Sequence, residues 1–124
     1  MTATVVRLKE RDRELIDDEV FGVLRRTLGD SAAEDVIEDT AFLLVERLSR
    51  MEQLVHGGSL SEIDRLARSI ADLAGRVGLR TMQRIAGDVS CCARRADVVA
   101  LRAVVARMIR IGEDSLFCLA RHID

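Results

Sequence analysis

Apolar residues recur along this chain in steps of three and four, the period of helices with one buried face. Val20, Phe21, Val23, Leu24 and Leu28 share one side of a short helix predicted from about Asp17 to Leu28, which Gly29 stops. Ser31 with Glu34 reads as a capping box, so a second helix is expected to open there and run to about Val55. Its apolar positions Ile37, Ala41, Leu44, Leu48, Met51 and Val55 form a bundle-type stripe, and Gly57-Gly58 ends it. Ser59 with Glu62 repeats the box, opening a third helix. That helix carries Ile63, Leu66, Ala67, Ile70, Leu73, Ala74 and Val77 and closes at Gly78, a left-handed C-cap. A fourth, from about Leu79 to Arg94, offers Met82, Ile85, Ala86, Val89 and Ala93. The last, opened by Asp97, presents Val98, Leu101, Val104, Val105, Met108, Ile111, Leu116 and Leu119.

Connections of a few residues between long amphipathic helices force neighbours to run antiparallel. The expected fold is therefore all-α, an antiparallel up-down four-helix bundle with a short N-terminal covering helix. Residues 1–13 are expected to be a flexible, charged lead-in and residues 14–124 one helical domain.

Composition sharpens this picture in three ways. Proline, tryptophan and tyrosine are absent and only three phenylalanines occur, which suits helices on helices better than strands and tight turns. A net charge of −2 supplies no general attraction to nucleic acid or anionic membrane, so neither is expected as a partner. The N-terminus lacks an apolar core of signal-peptide length, and no apolar run is long enough to span a bilayer, so a cytoplasmic protein is expected. Cys91, Cys92 and Cys118 have no C-x-x-C spacing and read as buried free thiols.

Candidate chemistry is sparse. No His/Cys/Asp cluster has metal-ligand spacing, no cofactor motif occurs, and Ser69 and Ser90 have no assigned base, so no metal, cofactor or enzymatic activity is expected. His56 falls at the end of the second helix and His122 near an expected frayed C-terminus. Attention moves to the outward side of the third helix. On a wheel of 100° per residue, Arg68 and Asp72 lie roughly 160° from the centre of the apolar set, with Arg65, Gly75 and Arg76 beside them.

The stretch from Arg68 to Gln83 resembles the central helix and following turn of histidine-containing phosphotransfer (Hpt) domains. It shares the small residues Ala71, Ala74 and Gly75, the Val77-Gly78-Leu79 turn, and Gln83 one turn into the next helix. The likeness extends more weakly over residues 15–120, through a first helix ending in Leu28-Gly29-Asp30, a long second helix, and the connection Gly57-Gly58-Ser59-Leu60. The family's pattern is His, then Lys three residues on, then Gly four residues on. Those positions here hold Arg68, Ala71 and Asp72. A guanidinium has no free lone pair with which to attack a phosphoryl donor, Ala71 brings no positive charge, and Asp72 adds a negative one.

The resemblance thus implies a pseudo-phosphotransfer protein of two-component phosphorelay signalling. Its expected partner is a response-regulator receiver domain or a sensor histidine kinase, bound through Arg65, Arg68, Asp72, Gly75, Arg76 and Gln83 without phosphoryl transfer. Arg68 and Asp72 read as an i,i+4 charge pair on that face. A monomer is expected over a homodimer. Two alternatives stand beside this reading: an active phosphotransfer protein using His56, and a helical dimerisation module exposing Phe42, Leu43, Val45 or Phe117. DNA binding through Arg80, Arg84, Arg94 and Arg95 ranks below both in a net acidic chain.

Overall fold

A computed structural model describes residues 15–123. They form α1 (Asp18–Leu28), α2 (Asp30–Leu54), α3 (Leu60–Arg76), α4 (Arg80–Arg94) and α5 (Val98–Ile123), with no strand among the described residues. The expected lead-in over residues 1–13 lies outside them. Each helix packs on the next, and α5 returns to α2. Four helices therefore close a ring, α2–α3–α4–α5, with α1 laid against α2. The up-down four-helix bundle with a covering helix is what the periodicity predicts.

Local chemistry explains most boundaries. The Asp17 side chain accepts from the Glu19 backbone N–H at 3.1 Å, and the Ser59 Oγ accepts from Glu62 N–H at 3.1 Å, capping α1 and α3. Asp97 caps α5 in the same way, its Oδ1 accepting from Ala100 N–H at 3.1 Å. The second capping site departs from expectation. Helix α2 begins at Asp30 with Gly29 as its cap and no side-chain cap bond, so Ser31 is already inside the first turn. Gly29 turns the chain at φ +86°, and Ala33 N–H bonds to its carbonyl at 3.0 Å. The helix has started before Ser31 can serve it.

Gly78 holds the junction of α3 and α4. At φ +73°, its N–H bonds to Gly75 O and the next N–H, that of Leu79, to Ala74 O at 2.8 Å, a Schellman close. The Gly78 carbonyl also accepts from Asp17 N–H at 2.8 Å, and a Cβ at position 78 would stand 2.9 Å from Asp17 O. No larger residue fits both the dihedral and the approach of the segment leading into α1. The α4–α5 junction closes with the same two bonds, Ala96 N–H to Ala93 O and Asp97 N–H to Cys92 O, but uses Ala96 at φ +57°.

The core is a continuous cluster of Ile37, Leu44 and Met51 from α2 with Ile63 and Ile70 from α3. Met82 and Val89 from α4 and Met108 and Leu119 from α5 complete it. Several apolar positions assigned to the buried stripes are in fact on the surface: Val23 and Leu28 of α1, and Val98 of α5, are each about half exposed. Helix α1 covers the bundle with Phe21 and the half-buried Val20 and Leu24, which leaves Val23 and Leu28 on its outer side. The C-terminal end of α5 is clasped rather than frayed. The His122 ring stacks on Phe21 with centroids 5.5 Å apart, its Nδ1 lies 3.0 Å from Cys118 O, and Arg25 donates to His122 O at 3.4 Å. Only Cys118 of the three cysteines is buried; Cys91 and Cys92 are half-buried. No helix among the described residues is long and apolar enough to cross a membrane.

Candidate functional site

Helix α3 presents its buried positions Ile63, Ala67, Ile70 and Ala74 to the core and turns Arg65, Arg68, Asp72 and Arg76 outward. Arg68 stands in solvent, its side chain 62% exposed. The charges on this ridge pair differently from the expected Arg68–Asp72 contact. Arg68 Nη2 lies 3.4 Å from Asp64 Oδ2, and Arg76 Nη2 lies 3.8 Å from Asp72 Oδ2. In both pairs the carboxylate is on the N-terminal side, the i,i+4 order that also agrees with the helix dipole; Arg68–Asp72 is the reversed order.

Asp64 has a further reason to hold Arg68. It is only 14% exposed, and its Oδ1 accepts the Ser90 hydroxyl proton from α4. The carboxylate is therefore anchored across the α3–α4 seam before it meets the guanidinium. Ser69, next to Arg68, accepts from Arg47 Nε of α2 at 2.8 Å, and Arg47 also donates to Leu43 O at 3.4 Å. Helix α3 is thereby tied to both neighbours at the level of Arg68.

Of the six predicted site residues, the fold brings Gly75 and Gln83 together. A Cβ at Gly75 would stand 2.6 Å from Gln83 Nε2, so the Gln83 side chain lies over the bare backbone of α3. Asp72 and Arg76 share the outward ridge with Arg68. Arg65 leans away from them, lining a groove of about 750 Å³ between α2 and α3 with Arg47, Arg50, Glu46 and Glu62. Asp64, Ser69 and Arg47 belong to this neighbourhood and were missed by sequence reasoning. The acid-first order of Asp64 and Arg68 was the available signal.

The chemistry here is that of binding. The side chain at position 68 is a fixed cation with five donors and no acceptor. Its partner among the described residues is the Asp64 carboxylate, and it is the geometry of a carboxylate or phosphate that a guanidinium matches. His56 is exposed in the turn after α2, where it borders a groove of about 480 Å³ with Arg102 and Arg110 of α5, on the other side of the bundle from the α3–α4 seam. No group of three His, Cys, Asp or Glu able to hold a metal ion occurs among the described residues.

No family model matches the sequence, and no curated protein matches it either. The fold has a solved counterpart. Histidine-containing phosphotransfer protein B from Pseudomonas aeruginosa PAO1 superposes with a TM-score of 0.81 at 17% identity, over 87% of this chain and 93% of that one. The chain has the fold of an Hpt protein. Identity at that level carries the architecture and no residue's role.

Proposed function

We propose that this chain is a phosphorelay-type bundle without the relay's nucleophile. It binds a response-regulator receiver domain or a sensor histidine kinase through the outward ridge of α3 and transfers no phosphoryl group. The observation that carries the reading is Arg68, exposed on α3 inside a bundle with the Hpt fold; the sequence resemblance aligns it with the histidine of Hpt domains. A receiver domain gathers carboxylates around its phosphorylation pocket. Arg68 offers them a bidentate partner in exchange for Asp64. Gly75, with the Gln83 side chain as its nearest cover, leaves the α3 backbone open to close approach once Gln83 swings aside. Asp72, 78% exposed and held by Arg76, moderates the attraction. The bundle acts as a monomer in the cytoplasm, occupying its partner and blocking or redirecting phosphate flow.

Two measurements test this. Incubation with a labelled, phosphorylated receiver domain leaves the protein unlabelled; acid-labile label on His56 would overturn the reading in favour of an active phosphotransfer protein. Replacing Arg68, Ala71 and Asp72 together by His, Lys and Gly restores phosphoryl acceptance, because the docking ridge is retained.

A further inference from the structure

The N-terminal two thirds of α2 are acidic. Between Asp30 and Glu46 the chain carries six carboxylates and no Lys or Arg. None of the six makes an ion pair or side-chain hydrogen bond among the described residues. The helix dipole accounts for Asp30 in the first turn, and its influence fades beyond that turn, so Glu38 and Glu46 need another reason. Asp35 and Glu38 stand one turn apart with like charge, an arrangement that costs an isolated helix stability.

Among these acids stand two large apolar side chains in solvent. Phe42 is 66% exposed and Val45 54% exposed. On the wheel set by Ile37, Leu44, Leu48 and Met51, Phe42 points about 150° from the core, and Val45 leans toward α5. The α5 helix contributes Phe117, 67% exposed, with the Arg121 guanidinium 4.9 Å from its ring centre. Leu48 meets α5 at Gly112, where a Cβ would stand 2.7 Å from Leu48 Cδ1. Counting antiparallel from that approach sets Phe117 at about the level of Phe42. In the ring order, the α2–α5 side is opposite the α3–α4 seam that holds Arg68.

We infer that this ridge is a second docking surface, taking a protein segment with an apolar centre and a cationic rim, such as a basic amphipathic helix. The charge selects the occupant. A second copy meeting the same ridge would set Asp35, Glu38 and Glu46 against their own images. An anionic membrane or a nucleic acid would be repelled for the same reason. Lys or Arg side chains flanking an apolar stripe would pair with carboxylates that have no partner among the described residues and cover Phe42. The surface does not depend on the α3 ridge or on the function proposed for it, and the bundle becomes an adaptor with two faces of different chemistry.

The test uses two synthetic helical peptides with one shared leucine stripe, one rimmed by Lys and Arg and the other by Glu. Binding to the full chain is followed by fluorescence anisotropy. The cationic peptide should bind at least tenfold more tightly than its acidic twin. Phe42→Ser should weaken it about fivefold or more, and so should the pair Asp35→Lys with Glu38→Lys. Arg68→Glu should leave it unchanged, which separates this surface from the receiver-binding ridge. Equal affinity for both peptides, or cationic binding that survives both sets of substitutions, would overturn the proposal. So would a dimer in sedimentation that Phe42→Ser dissociates, because the occupant would then be a second copy.

Discussion

The outward ridges of α3 and α2 are both rich in charge, and they use it in opposite ways. On α3, Arg68 and Arg76 each pair with a carboxylate one turn earlier, and Asp64 is fastened to Ser90 of α4. On α2, acid follows acid with no ion pair among the described residues, and Phe42 stands among them. The first ridge is satisfied within the bundle, so a partner there must exchange one ion pair for another. The second is unpaired among the described residues, so a partner there would supply the countercharge. Exchange favours selectivity in geometry, whereas supply favours selectivity in the sign of charge.

Removing one carboxylate from each ridge breaks the comparison most sharply. Asp64→Ala should lower stability by about 2 kcal/mol, because it strands the buried Ser90 hydroxyl as well as Arg68. Glu38→Ala should leave stability unchanged or raise it by about 0.3 kcal/mol by relieving like-charge contact on α2. Urea or thermal melts of the two variants measure both, and equal losses would mean that the two ridges use their charge alike.

A second expectation concerns exchange. Arg68→Glu should weaken receiver binding at least tenfold, about 1.4 kcal/mol, and binding that is indifferent to the change would remove Arg68 from the interface. Asp64→Asn should act in the other direction. It keeps an acceptor for Ser90 while releasing Arg68, so receiver affinity should rise severalfold in a titration calorimeter.

A smaller effect belongs to the turn between α4 and α5, where Ala96 sits in the left-handed region. Ala96→Gly should raise stability by about 1 kcal/mol, since the same Schellman bonds at Gly78 show what the geometry prefers. The smallest is chemical. Burial, followed by the nearby Asp97 carboxylate, pushes the Cys92 thiol up from its ordinary value. At a given pH it then holds less thiolate than a free cysteine. Alkylation by iodoacetamide, followed by mass spectrometry, should be slower at Cys92 than for a free cysteine model and should reach its half-maximal rate at a higher pH.

Much of this fold was legible because helices announce themselves locally. The four-and-three stripe of α2, the caps at Ser59 and Asp97, and the glycine closing α3 depend on neighbours within a few residues, and all stand where the periodicity put them. The capping box at Ser31 failed for a reason of the same kind: Gly29 turned the chain two residues earlier, and a backbone dihedral is not written in a residue pattern. The wheel that turned Arg68 outward was sound, but the partner chosen for it was not. Both candidate acids lie four residues away, and spacing alone treats them alike. The dipole's preference for acid before base separates them, and Ser90, twenty-six residues further on, reinforces the choice.

The sequence alone determined the helices, their antiparallel order and the outward placing of a fixed cation at position 68, since each follows from local hydrogen bonding, amphipathic period or the chemistry of one side chain. Only the tertiary structure decided which charges are answered. Whether a carboxylate finds a partner depends on what another helix brings beside it: α4 brings Ser90 to Asp64, and no described helix brings a partner to Glu38. The same holds for apolar residues. The outward tilt of Phe42 was readable from its own helix, but its exposure required that neither α1 nor α5 cover it, and that is a fact about how the helices meet.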